Sequence, residues 1–140
     1  MSLEENLDRE YNEIVRELSD LAVIHIKLVK RLRRVARDLN KPEENLEKLE
    51  LTLDKMRILR SKLTKIINDL MNKYPEYLRI GKNVEDTELI IRFFEMSGLI
   101  EEEKVLRLMI SRKPSIEGYI RRDFEEIKAL RNLINRISTR

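Results

Sequence analysis

The sequence predicts an all-α protein: a long antiparallel helical hairpin, coiled-coil-like in its pattern, followed by a C-terminal three-helix segment. Three observations carry that expectation. Apolar residues recur at alternating spacings of four and three over both halves of residues 3–74. The 140 residues hold only 3 Gly and 3 Pro, too little turn material for many strands. Leu, Ile, Glu, Lys and Arg dominate, and these are good helix formers or common helix-surface residues.

The first helix opens at Ser2, with Glu5 three residues on, a capping-box spacing. Its seam reads Leu7, Tyr11, Ile14, Leu18, Leu21, His25, Leu28, Leu32, Val35 and Leu39. Asn40-Lys41-Pro42 breaks it, with Asn40 as the cap of the next helix. The second helix runs to Tyr74, before Pro75, through Leu46, Leu49, Leu53, Met56, Arg60, Leu63, Ile67 and Leu70. So short a link makes the two helices antiparallel neighbours, with His25 near Met56 and Leu21 near Arg60. Residues 75–83 read as a connector. Asn83 caps a third helix over about 84–97, which Gly98 stops. A fourth covers about 100–112 up to Pro114, and Ser115 caps a fifth carrying Ile116, Ile120, Phe124, Ile127, Leu130, Ile134 and Ile137. The division expected is a hairpin over 1–78 and a three-helix segment over 79–140, packed on that hairpin or swapped onto a partner.

Charge is unevenly placed. Residues 1–20 hold seven acidic and two basic groups, and residues 21–41 hold one acidic and seven basic. The second helix repeats the order, acidic first and basic later, so folding it back sets unlike ends side by side and suits each helix dipole. The absence of Cys removes disulfides and thiolate sites. The same composition, without Gln and rich in Glu, Lys, Arg and Ile, points to a thermophile. No signal-peptide pattern or membrane-length apolar run is present, so a cytoplasmic protein is expected; a virion component would read the same way.

His25, the only histidine, has Ala22 three residues before it and Val29 four after, so no ligand or catalytic partner shares its face. It reads as a register-setting seam residue. No metal, cofactor or catalytic constellation is predicted, and Glu101-Glu102-Glu103 reads as a helix first turn. Beside the seam, Val15, Ala22, Val29 and Ala36 form a second apolar stripe, while Val23 and Ile26 point elsewhere. One antiparallel partner cannot cover such a girdle. Either the C-terminal helices complete the cover, or Val15, Ala22, Val23, Ile26 and Val29 form an interface with another copy or a helical partner.

The run KLVKRLRRVAR, 27–37, is the nucleic-acid candidate. Lys27, Lys30, Arg34 and Arg37 share one stripe away from the second helix, flanked by Arg31 and Arg33. Clustered exposed cations are what phosphate binding requires. Without interleaved aromatics, base stacking is not expected.

Two segments carry resemblances. RKPSIEGYIRRDFEEIKALRN, 112–132, resembles the recognition helix of a helix-turn-helix or winged-helix regulator, which implies base-reading by Arg121 and Arg122. Phe94 stands where that motif needs a small residue, and no wing strands follow. LDKMRILRSKLTKIINDL, 53–70, resembles the helical domain of archaeal GINS replication subunits, without the small β-domain of that family. The expectation carried forward is a non-enzymatic assembly or scaffold subunit that oligomerises and touches nucleic-acid backbone. The rivals are a DNA-binding regulator using 84–131 and a pure protein-interaction coiled coil.

Overall fold

The computed structural model describes residues 2–39, 44–75 and 84–138, and over these the protein is all-α. The elements are α1 (Leu3–Arg37), α2 (Glu44–Lys73), α3 (Val84–Phe93), a π-helical segment (Phe94–Leu99), α4 (Ile100–Arg112), a single 3-10 turn (Pro114–Ile116) and α5 (Glu117–Ser138). Asn40 and Asn83, expected as caps, lie outside the described residues, as does most of the connector.

The Ser2 hydroxyl accepts the Glu5 N–H at 3.1 Å, so the expected cap forms. The buried line of α1 is Tyr11, Leu18, Ala22, His25, Val29, Leu32 and Ala36. It draws on both predicted stripes, while the seam members Leu21, Leu28 and Val35 are only half-buried. The reason is that α1 has two neighbours. It packs on α2 along one flank and on the π segment and α4 along the other, so the direction facing the bundle centre falls between the stripes.

α1 and α2 are antiparallel. At their shared end Tyr74 donates its hydroxyl to Glu10 at 3.0 Å, and the Tyr11 and Tyr74 rings lie 5.7 Å apart. From there α3 and α4 run alongside α1 in the same direction. Thr87 meets the Tyr11 hydroxyl at 2.6 Å, Glu102 meets His25, and Arg112 donates to the Arg37 carbonyl at 3.1 Å. After Pro114 the chain turns back, and α5 descends against α2 and α4. Two antiparallel hairpins thus lie side by side in one chain, and the second completes the cover of Ala22 and Val29.

Gly98 is the main departure from the predicted elements. It does not stop a helix. Leu99 and Ile100 stay helical, and the Ile100 N–H bonds the Glu95 carbonyl five residues back. α3, the π segment and α4 therefore make one unbroken rod, and the expected three-helix segment is a rod plus α5. Ser115 likewise sits within the 3-10 turn, and α5 begins at Glu117.

The tyrosine end gives a pH prediction. Burial pushes the Tyr11 phenol above its ordinary value against a smaller opposing effect of Thr87. Burial, then the hydrogen bond to Glu10, raises Tyr74. A raised folded value means the stabilisation is complete below the unfolded value of 10.0 and is lost as pH rises through the folded one. Denaturant midpoints should hold up to about pH 10 and then fall. A Tyr11→Phe/Tyr74→Phe chain should show a shallower alkaline decline; an unchanged decline refutes the assignment.

Candidate functional site

Each of the four rods sends one ionisable side chain to the middle of the bundle. His25 comes from α1, Arg60 from α2, Glu102 from α4 and Asp123 from α5, and all four are at most 1% exposed. Arg60 is the hub. Its Nη1 donates to Glu102 Oε2 and its Nη2 to Asp123 Oδ1. Nε and Nη2 also reach Glu126 Oε1, at 3.3 and 3.2 Å. Arg57, one turn earlier, grips Asp123 with two bonds of 3.0 and 2.8 Å and lies 5.2 Å over the Tyr119 ring. Its hydrogen bond to Asp123 holds its guanidinium above the ordinary arginine range. Burial works against the Arg60 charge, but Glu102, Asp123 and Glu126 outweigh it, so its value is raised too.

Glu102 uses its other oxygen on His25, Oε1 to Nε2 at 2.9 Å. With that carboxylate also held by Arg60, it is the acceptor and His25 Nε2 the donor. Nδ1 has no hydrogen-bond partner among the described residues. It faces Gly98, where a Cβ would stand 2.7 Å away, and the ring meets Phe94 edge-on at 5.1 Å. The π turn and the missing side chain of Gly98 together make room for the imidazole.

These positions add to the sequence reading. The polar partner of His25 is Glu102, 77 residues along the chain and on another helix. Glu102 stands in the first turn of α4 as expected, but Leu99 before it is helical and the side chain is buried, so its role there is an ion-pair partner as well as a dipole residue. In α5 the core position is Asp123, while Phe124, expected in the seam, is half-buried. The available signal was a charge at a seam spacing in each of three helices: Arg60, Glu102 between Leu99 and Leu106, and Asp123 between Ile120 and Ile127. Both buried carboxylates are committed to guanidinium groups. An open groove of about 590 Å³ between α2 and α5 reaches the cluster at Arg57, Arg60 and Glu126. No set of three or more His, Cys, Asp or Glu side chains gathers to hold a metal among the described residues.

The second candidate is the outer face of α1. Lys27, Lys30, Arg31, Arg34 and Arg37 are exposed. Arg33 turns to α4 and pairs with Glu101 at 2.8 Å. Lys104 takes the other Glu101 oxygen at 3.3 Å, so the carboxylate on this flank is shared by two cations. These cations, its largest effect first the hydrogen bond to Lys104, keep Glu101 below the ordinary carboxylate range. Arg112, bonded to the Arg37 carbonyl, extends the same face; neither it nor Lys104 was anticipated from sequence. Arg121 and Arg122 are exposed on α5, and Arg122 is paired with Glu126 at 3.1 Å. Of the expected interface residues, Ala22 and Val29 are buried within the chain, Val15 and Ile26 are half-buried, and Val23 is 43% exposed. No helix among the described residues is long and apolar enough to cross a membrane.

Comparison with known proteins gives no match to a family model, a curated protein or a solved structure.

Proposed function

We propose that this protein is a non-enzymatic helical assembly subunit that holds nucleic-acid backbone on the outer face of α1 and α4. The observation that carries this reading is the row Lys27, Lys30, Arg31, Arg34 and Arg37, exposed and without an ion-pair partner among the described residues. Lys104 and Arg112 widen it from the next rod. A rigid cationic surface of this kind displaces condensed counterions and binds phosphate without reading bases. No aromatic side chain from 27–37 or 100–112 is available for stacking. The buried cluster serves as the clamp that fixes the register of the four rods and so keeps the α1 and α4 charges on one face.

The test is fluorescence anisotropy with a labelled duplex across a salt series. Lys30→Glu/Arg34→Glu/Arg37→Glu should bind far more weakly, with a log K against log salt slope lower in magnitude by about 3, one unit per lost phosphate contact. Arg121→Glu/Arg122→Glu should bind as the parent does. Unchanged binding by the triple variant, or loss only in the α5 variant, refutes the reading. A base-reading regulator built on 84–131 would need a turn between α3 and α4, where the rod is continuous. The absence of any salt-dependent binding would favour a pure protein-interaction role.

A further inference from the structure

α1 carries a third line, pointing out of the bundle. Glu13, Glu17, Asp20, Ile24, Lys27, Arg31 and Arg34 follow one another at spacings of four, three, four, three, four and three. All seven are exposed, and Ile24 keeps 46% of its surface in solvent. None of the six charged members makes an ion pair or side-chain hydrogen bond with another described residue. The order along the line is three acids, one isoleucine, three bases.

That order is complementary to its own reverse. From it we infer that two copies of the chain associate through antiparallel α1 helices, on a two-fold axis at Ile24. Glu17 then faces Arg31 of the second copy, while Asp20 and Glu13 face the neighbourhoods of Lys27 and Arg34. The symmetry repeats each match, so six charge pairs surround two isoleucines, the self-complementary pattern a two-fold interface requires. A parallel pair would set acid on acid and base on base. The spacing keeps the line facing one partner over roughly 30 Å, at about 1.5 Å per residue. Among the described residues the line meets no counter-charge, and a second copy supplies a surface of reversed order. Exposed ion pairs are individually weak and screened by salt, so the dimer is salt-sensitive. This deepens the assembly part of the proposed function; Lys27, Arg31 and Arg34 belong to both surfaces, so a second copy and nucleic acid compete for them, and the dimer is tested free of nucleic acid. The surface differs from the apolar girdle that the sequence suggested, which is largely covered in cis.

The experiment is sedimentation velocity on the full chain, free of nucleic acid, at about 0.1 M and about 1 M salt. The parent should be dimeric at the lower salt and monomeric at the higher. Glu13→Lys/Glu17→Lys/Asp20→Lys should be monomeric alone at both, as should Lys27→Glu/Arg31→Glu/Arg34→Glu. An equimolar mixture of the two should restore a dimer, since one line is now all basic and the other all acidic. The chain has no cysteine, so Ile24→Cys should oxidise to a covalent dimer, and Leu51→Cys on the exposed side of α2 should not. A parent that stays monomeric at low salt, a reversed chain that dimerises alone, or a mixture that fails to pair overturns the inference. Circular dichroism checks that each variant keeps its helix content. The two readings fail separately: Lys30→Glu/Arg37→Glu should lose nucleic-acid affinity and keep the dimer, and a dimer that ignores nucleic acid sinks only the proposed function.

Discussion

Arg60→Ala is expected to lower the free energy of unfolding by about 3–5 kcal/mol, the cost of removing one partner from a buried ion cluster. Glu102 and Asp123 are both 0% exposed, and Arg60 donates to each of them. Without the guanidinium, Asp123 keeps Arg57, but Glu102 keeps only His25. A buried carboxylate with one remaining hydrogen-bond partner is far from satisfied. A domain of this size has about 5–15 kcal/mol in total, so the variant should sit near the edge of folding. Arg60→Met/Glu102→Gln should recover most of the loss. Met restores volume, Gln still accepts from His25 Nε2, Asp123 retains its two-bond grip from Arg57, and no charge is stranded. Denaturant unfolding at constant m-value measures both. If Arg60→Ala loses less than about 1 kcal/mol, the range of an exposed ion pair, the cluster does not clamp the rods.

The same cluster marks where sequence reading stopped. The hairpin was legible because its signals are local: the Ser2 cap, the alternating four and three spacing of α1 and α2, and the opposed charge order. The covering of the girdle was legible as a requirement, since Ala22 and Val29 on a second stripe demanded a second neighbour. The identity of that neighbour depended on how one glycine behaved. By local propensity Gly98 ends a helix. In the fold it is a close-approach residue, kept inside a continuous rod because the His25 ring occupies the space of its side chain. A helix stop at Gly98 leaves Glu102 explained by its first-turn position alone and hides its burial. An apolar trace of α5 runs through Phe124, one position along, and so misses the buried Asp123. Three charges at core spacing in three helices could have been read as one partnership, since unpaired burial of any of them would be prohibitive. The distance between them along the chain hid it.

Gly98→Ala turns that account into a choice of sign. In a helix interior with ordinary backbone angles, alanine is better than glycine by about 1 kcal/mol. If the space beside Gly98 were open, the substitution would stabilise. Here the added Cβ would stand 2.7 Å from His25 Nδ1 and 3.2 Å from a Phe94 ring carbon. The imidazole cannot swing away, because its Nε2 is tied to Glu102 and the whole ring is buried. The rod must shift, or the His25–Glu102 bond must stretch, and overpacking of this kind costs about 1–3 kcal/mol. Gly98→Ala should therefore be destabilising in spite of its better propensity. Truncating the ring removes the obstacle. His25→Ala alone leaves a cavity and a poorer partner set for Glu102, but adding Gly98→Ala to it should then stabilise. The cycle should show a coupling of about 1–3 kcal/mol between positions 25 and 98. Thermal or denaturant unfolding of the four chains measures it. A stabilised Gly98→Ala single variant, or effects that simply add, would mean that the imidazole does not occupy the space beside the π turn.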